Sequence, residues 1–481
     1  MCGEVSMNIS KQKRPSKVIA PEKNRSYSEV TEYLDSKWQV SLIDKNKETI
    51  KKLNEALGSP AETMHAAFVS GSNGKSLTIN FTAQLLKEEG LKVGSFYSPH
   101  LLTYNERISL NNEAIANKAF ADLANEVINT AAKLELDPHA HDVLTMIALL
   151  YFKKNDVEVA ICEMSLNGSW DPITICKPLV TAITRLTSNE EGLSDKEANK
   201  LIKEVMTVVK KDGWVVSADQ SKMNLQIMQD LTADKKAQWA MPIRKLATLT
   251  YPFEQLHGRC AALAERIAQL YIENYATKNA TFVANSLLVK PKGQRGRPTL
   301  EAKRQAELNP KRTIEHFWKE TQSTLPGRFE LLSKDKPSIL LDNSDNLDAF
   351  KNLLLGVRLL HYERPLKGLT IIIGCEDNAL HAQEFLKAIR YFFKKTAGSI
   401  IFCPLKKSSL SYDKDESTWD VEKITNDVKN IKVKAKAAKN LADAYETAKK
   451  SVDQRQGLLV ITGSNSILQE YWNHKGIKKF N

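Results

Sequence analysis

Several features typical of membrane, secreted or repetitive proteins are missing from this 481-residue chain. Its most apolar run, residues 143–152, is too short to span a bilayer, and its polar, basic N-terminus lacks the apolar segment of a secretion signal. Met7 offers a second start. No CxxC pair occurs among six scattered cysteines, and no repeat suggests a solenoid. We therefore expect a globular cytoplasmic protein with buried, reduced thiols.

The charge balance is basic, with 69 Lys and Arg against 57 Asp and Glu and a net charge of +12. Such a balance suits polyanionic partners such as nucleotides, polyglutamate or nucleic acid, but it also suits an ordinary soluble protein because both signs are interspersed. Residues 290–312 are an exception, with eight Lys/Arg and two Glu. We interpret them as a solvated insertion and keep nucleic-acid binding through them as a remote alternative.

Strand and helix patterns alternate along most of the chain. Two helical patterns precede a buried strand at residues 66–71, an amphipathic helix at 76–90 and a second strand at 92–98. This order is a βαβ unit, and the same rhythm continues through a helix predicted at 197–213 and resumes after residue 325. The alternation predicts mostly parallel sheets with helices on both faces.

A glycine loop, GSNGKS, joins the first strand to its helix. Gly71 and Gly74 let the backbone turn tightly and approach phosphate oxygens, while Lys75 adds a positive charge at the N-terminus of a helix. Ser76 supplies a hydroxyl that can reach Mg²⁺. The full Walker pattern would need glycine at Val69, so the loop predicts a nucleotide-phosphate site with a plain glycine turn as the alternative.

An acidic residue, Glu163, ends the apolar strand pattern VEVAICE. Ligands of open α/β sheets gather at the carboxyl ends of strands, and a carboxylate there suits Mg²⁺. We expect a metal ligand, with a buried structural acid as the alternative.

The chain resembles one known family along its length from about residue 27 to the C-terminus. GSNGK is similar to that family's GTNGK loop, SPHL and NERI (98–101 and 105–108) to its next segment, and PGR (326–328), LDNSDN (341–346) and TGS (462–464) to its C-terminal motifs. These are the motifs of the folylpolyglutamate synthase/dihydrofolate synthase family of Mur ligases.

The resemblance implies an α/β fold with a P-loop ATPase domain, residues 1–320, and a smaller Rossmann-like domain, residues 325–481. It implies an ADP-forming ligase that uses ATP and Mg²⁺ to add L-glutamate to folate through an acyl phosphate, with dihydrofolate synthesis as a second reaction left open. We expect a monomer without a membrane or nucleic-acid partner.

The resemblance also implies roles for individual residues. Lys75, Glu163 and Arg328 would be catalytic, Ser76 and Glu163 would hold the metal, and Ser98 and His100 would lie on the folate side, although His100 by itself is more typical of a packed histidine. The nucleotide would contact Gly71, Ser72, Asn73, Gly74, Lys75, Ser76, Arg328, Asp342 and Asn346.

Several positions depart from the family pattern. Met206 falls where the family has a metal-holding lysine, Asp345 replaces a histidine, and Ser188–Gly192 lack the histidine of a second metal site. Ser165 and Asn167 replace glycines beside Glu163, and an expected asparagine is missing from residues 256–270. The alternative function is therefore a degenerate member that binds nucleotide or folate without efficient turnover.

Overall fold

A computed structural model of the chain describes residues 22–38, 47–166, 168–187, 195–219, 221–242, 254–276, 325–363, 365–375, 383–405 and 420–480. Asn167, Ser188–Gly192 and the basic segment 290–312 lie outside the described residues. Within the described part, no helix has the length and apolar character needed to cross a membrane. The five cysteines in that part are free, and four of them are buried, as predicted: Cys162, Cys176, Cys375 and Cys403.

The first domain is built on an eight-stranded sheet with strand order β4-β3-β2-β5-β1-β6-β7-β8. Six strands are mutually parallel, namely β2, β5, β1, β6, β7 and β8, while β3 and β4 form an antiparallel edge beside β2. Every residue of the central strands β1 and β5 is buried. The strands are β1 Ala66–Ser70, β2 Val93–Phe96, β3 Ile108–Leu110, β4 Glu113–Ala114, β5 Val159–Glu163, β6 Pro178–Ile183, β7 Trp214–Ser217 and β8 Gln238–Ala240.

The helices of this domain pack on the faces of the sheet, with α4 lying against α9. They are α1 Tyr27–Lys37, α2 Glu48–Ala56, α3 Pro60–Thr63, α4 Lys75–Glu88, α5 Asn117–Lys133, α6 Ala140–Lys154, α7 Asp195–Met206, α8 Lys222–Asp234 and α9 Glu254–Tyr275, with 3₁₀ turns at Tyr104–Arg107, Gly168–Trp170 and Pro172–Ile175.

The second domain has a six-stranded sheet with order β13-β12-β11-β14-β10-β9. Only β9 runs antiparallel to its neighbour among these described strands. Its strands are β9 Glu330–Leu332, β10 Ser338–Asp342, β11 Leu369–Gly374, β12 Ser399–Phe402, β13 Ala435–Ala437 and β14 Leu458–Gly463. Its helices are α10 Leu347–Glu363, α11 Gln383–Phe393, α12 Val421–Asn430, α13 Leu441–Ser451 and α14 Asn465–His474.

The predicted α/β fold with mostly parallel sheets is confirmed, with one correction in α7. The sequence pattern extended this helix to residue 213, whereas the helix ends at Met206. The next residues, Thr207, Val208 and Val209, are β-branched and lose side-chain freedom in a helix. Short turns carry the chain from there to β7, through the left-handed Asp212 (φ 63°).

Candidate nucleotide-binding site

A cleft of about 490 Å³ lies where the carboxyl ends of the two sheets face each other. The first domain contributes segments that follow β1, β2, β5 and β6, and the second contributes segments that follow β10, β11 and β14. The lining residues are Gly71, Ser72, Lys75, Ser98, His141, Glu163, Ser165, Leu166, Asp171, Thr187, Asp345, Asn346, Cys375 and Ser464.

The glycine loop is fixed to the segment that follows β6. Ser72 donates its backbone N–H to the Arg185 carbonyl at 2.7 Å, and its hydroxyl lies 2.9 Å from the Thr187 carbonyl oxygen. A Cβ on Gly71, whose φ is 131°, would come within 2.1 Å of the Thr184 hydroxyl oxygen. The loop therefore requires glycine here, and the polar groups of Ser72 serve to hold the loop.

Lys75 is the first residue of α4 and bends back over the loop. Its ammonium group donates to the carbonyls of Gly71 (2.9 Å) and Ser72 (3.3 Å). The same nitrogen lies 3.7 Å from Glu163 Oε1. A positive charge and the exposed N–H groups of a helix N-terminus thus meet on the cleft, as an anion site requires.

Glu163 ends β5 on the cleft and is 7% exposed. Its Oε2 accepts the Ser76 hydroxyl at 3.1 Å and the Ser98 backbone N–H at 3.3 Å. The structure therefore brings Lys75, Ser76, Ser98 and Glu163 together around one carboxylate.

Oxygen donors at this point fit Mg²⁺, which prefers carboxylate and hydroxyl oxygens. The described residues contain no group of three or more His, Cys, Asp or Glu side chains that could form a complete metal site. That composition fits an ion shared with phosphate oxygens, since Mg²⁺ is held by one or two carboxylates together with substrate phosphates in such sites.

Asp171 and His141 are among the first-domain cleft residues that were not predicted as site residues. Asp171 accepts the backbone N–H groups of Ser165 (2.8 Å) and Ile173 (3.1 Å), and so shapes the chain that leaves β5. Burial lowers the pKa of His141, an effect that the nearby Asp171 opposes and Arg107 reinforces. His141 enters the cleft from the first turn of α6, and Asp171 enters it from the segment that follows β5.

The second domain approaches the loop through Asn346 and Asp345. Asn346 caps α10 by accepting the Ala349 N–H at 3.0 Å, and its amide group donates to Asn73 Oδ1 at 2.8 Å. Asp345 is exposed to solvent, but partial desolvation in the cleft raises the pKa of its carboxyl group. The hydrogen bond from Asn346 and the positive charges of Arg328 and Lys75 oppose that rise.

Arg328 and Asp342 do not line the cleft. Asp342 accepts the Phe329 N–H at 2.9 Å and the Ser344 hydroxyl at 2.7 Å. Burial raises its pKa to about 6, against the lowering effects of the Ser344 bond and the Arg328 charge. Contact of either residue with nucleotide therefore stays a prediction.

His100 is buried away from the cleft lining. Arg107 Nε donates to its Nδ1 at 2.8 Å, and its ring lies 4.4 Å from that of Tyr104. Burial and the Arg107 charge lower its pKa well below the usual value, so the ring stays neutral. These contacts favour the packed role for His100 over a folate contact.

One substituted position, Met206, has apolar surroundings in the structure. Met206 is 1% exposed within the core, which explains why no cation could be held there without rearrangement. Cys260 of α9 packs beside the glycine loop, with its sulfur 2.7 Å from the place that a Cβ on Gly74 would occupy.

No protein-family model matches the chain. The chain is 26% identical over 318 residues to the dihydrofolate synthase/folylpolyglutamate synthase of Bacillus subtilis, which covers 63% of this chain and 70% of that protein. It is 24% identical over 379 residues to the folylpolyglutamate synthase of Lacticaseibacillus casei, covering 76% and 83% of the two chains. Both relatives carry the names of the folylpolyglutamate synthase/dihydrofolate synthase family, and the chain is similar to that family over most of its length.

A solved structure of a family member supports the same fold. The Mycobacterium tuberculosis folylpolyglutamate synthase complexed with ADP superposes with a TM-score of 0.70 at 18% identity. The match covers 94% of this chain and 98% of that one, so both domains of the Mur ligase fold are included.

Proposed function

We propose that the protein is an ATP- and Mg²⁺-dependent ligase that adds L-glutamate to a folate through an acyl phosphate and releases ADP. One observation carries this proposal: Lys75, Ser76 and Glu163 are assembled at the N-terminus of α4, on a cleft lined by both domains. The proposal joins that geometry to the activity named for the relatives from B. subtilis and L. casei.

The phosphate loop supplies charge and position for the first step. A folate carboxylate oxygen attacks the γ-phosphorus, the bond to the ADP oxygen breaks, and ADP takes the electron pair. Lys75 and the N-terminus of α4 stabilise negative charge on the phosphate oxygens as this happens. Asn73 and Gly74 keep the backbone close enough for N–H contacts, while Gly71 and Ser72 fix the loop.

Ser76 and Glu163 are the residues that would hold Mg²⁺. The ion supplies charge neutralisation on the phosphates when it is bound. Glu163 also accepts the Ser98 N–H, so the carboxylate links the phosphate side of the cleft to the segment proposed to face folate.

The second step joins the amino acid to the activated folate. The amine of glutamate attacks the acyl carbon, inorganic phosphate leaves, and the amine loses a proton as the amide forms. Residues from both domains line the cleft, which suits a reaction that must hold two substrates in line and away from water. Dihydropteroate would be an alternative carboxylate substrate, and the assay below includes it.

The test measures ADP release by the purified full chain with ATP, Mg²⁺, L-glutamate and either tetrahydrofolate or dihydropteroate. Lys75→Ala and Glu163→Ala should each lower turnover by about 100-fold or more. The first removes a positive charge that stabilises the phosphates, and the second removes a carboxylate that would hold Mg²⁺. Lys87→Ala is the matched control, because Lys87 lies exposed near the far end of the same helix and should leave turnover unchanged.

A wild-type protein that binds ATP in calorimetry but releases no ADP with either folate substrate would overturn the ligase proposal. That result would instead support the nucleotide-binding relative without turnover. Equal turnover in Glu163→Ala and wild type would remove Glu163 from the proposed machinery.

A further inference from the structure

One carboxylate of the second domain holds two separate segments of the first. Asp348 lies in the first turn of α10, and its Oδ1 accepts Arg185 Nη1 at 2.6 Å. Its Oδ2 accepts the side-chain amide of Asn73 at 3.0 Å. Asn73 belongs to the phosphate loop after β1, whereas Arg185 follows β6, so a single side chain ties both segments to the second domain.

These contacts form a closed ring rather than three isolated bonds. Arg185 already accepts the Ser72 N–H through its carbonyl at 2.7 Å. A Cβ on Gly71 would lie 2.9 Å from that same carbonyl oxygen. Because Arg185 is packed this closely against the loop, its ion pair with Asp348 also helps to fix the position of the loop backbone.

The surroundings of Asp348 favour a charged, persistent contact. Its side chain is 17% exposed and that of Arg185 is 39% exposed, so water and salt screen the pair less than a fully exposed one. The N-terminus of α10 also favours a carboxylate in its first turn. Asn346 adds reciprocal amide bonds to Asn73, at 2.8 and 3.1 Å, on the same side of the cleft.

We propose that Arg185 and Asp348 are positioning residues that hold the two domains closed over ATP, with Asn73 as the loop residue through which closure fixes the phosphate loop. The proposal rests on the proposed ligase function for its kinetic consequence. Loss of the pair should lower the fraction of molecules in the closed arrangement. The apparent affinity for ATP is proportional to that fraction and should fall with it.

The test compares Arg185→Gln, Asp348→Asn and the double variant in the full chain. Each single change should raise the KM for ATP about three- to tenfold and lower kcat less. The double variant should lose no more than the worse single variant, because the two side chains act as one unit. Small-angle scattering with a non-hydrolysable ATP analogue should show a larger radius of gyration for all three variants than for wild type.

Glu384 and Lys387 provide a matched control pair. Their side chains also meet at 2.6 Å, but both lie on α11 within the second domain. Glu384→Gln and Lys387→Gln should therefore leave the KM for ATP and the radius of gyration unchanged.

Wild-type values of KM and radius of gyration in Arg185→Gln and Asp348→Asn, with the fold intact by circular dichroism, would overturn the proposal. Fully additive losses in the double variant would overturn it as well. A failure of the ligase function can be distinguished from a failure of this proposal. If the protein is not a ligase, wild type releases no ADP, but scattering and ATP calorimetry still show whether Arg185 and Asp348 hold the domains closed.

Discussion

At the scale of single residues, Glu330 gives a pH-dependent prediction. Its carboxylate accepts the Gly327 N–H at 2.8 Å, while burial raises its pKa to about 7 from an ordinary 4.5. The folded state therefore binds this proton more tightly than the unfolded state. The contribution of the protonated carboxyl group to the free energy of unfolding is greatest below pH 4.5 and is lost as the pH rises to about 7. Glu330→Gln keeps a neutral acceptor for Gly327, and its melting temperature relative to wild type should be higher at pH 8 than at pH 5.

The control for this prediction is Glu55→Gln, at an exposed position of α2. Thermal unfolding of the three proteins between pH 5 and pH 8 makes the comparison. A difference between Glu330→Gln and wild type that stays constant over this range would contradict the raised pKa.

Residue identity allowed one part of the site to be predicted and not another. Lys75, Ser76 and Glu163 could be proposed because each carries its chemistry in a local pattern, a glycine loop or the end of an apolar strand. His141, Thr187 and Ser464 reach the same cleft from three distant segments and were not predicted as site residues, although Ser464 belongs to the TGS motif. His100 resembled a site residue by its motif, but its contacts with Arg107 and Tyr104 are those of a packed side chain.

At the scale of elements, the junction of β1 and α4 depends on Gly74. Gly74 has φ 85°, and an added Cβ would lie 2.7 Å from the sulfur of Cys260. Gly90 has a similar φ of 80° with nothing within 4 Å of an added Cβ. Gly90→Ala should therefore cost only the backbone strain, about 1–2 kcal/mol, while Gly74→Ala should cost more and also weaken ATP binding. Chemical denaturation of both variants and ATP calorimetry measure the difference.

Cys260→Ala tests the cause of the extra cost. When it is combined with Gly74→Ala, it should recover the part of the lost unfolding free energy that comes from steric overlap with the sulfur. The part that comes from the positive φ should remain. If Gly74→Ala and Gly90→Ala were equally destabilising, contact with α9 would not be what keeps a glycine at this position.

Element types were largely predictable, whereas element ends and edges were not. The strand and helix patterns before and after the glycine loop correspond to β1, α4 and β2, because apolar periodicity reports which side chains are buried. The antiparallel strands β3, β4 and β9 are only two or three residues long, too short for any period to be visible. The helix α7 ends just before three β-branched residues, and a pattern of polar and apolar residues does not report their low helix propensity.

At the scale of the whole molecule, the order of strands could not be read from the chain. β1 lies between β5 and β6 although many residues separate them in sequence, and β10 lies beside β14 for the same reason. These pairings place Glu163 next to the phosphate loop, since Val69 of β1 is in register with Glu163 of β5. The site thus depends on the strand order of the sheet, because the glycine loop supplies Lys75 and Ser76 but not Glu163.

The shared cleft makes the stability of the two domains dependent on one ligand. Nucleotide held by residues of both sheets stabilises only the arrangement in which the domains face each other, so ATP with Mg²⁺ at about 100 times its Kd should add about 2.7 kcal/mol to the unfolding free energy of that arrangement. We expect calorimetry to show the unfolding of both domains moving to higher temperature with nucleotide. Lys75→Ala should lose this shift in both, because it weakens phosphate binding, while Lys87→Ala should retain it. A nucleotide-induced shift confined to one of two separate transitions would mean that ATP binds one domain alone, and the cleft between Glu163 and Asn346 would then not be its site.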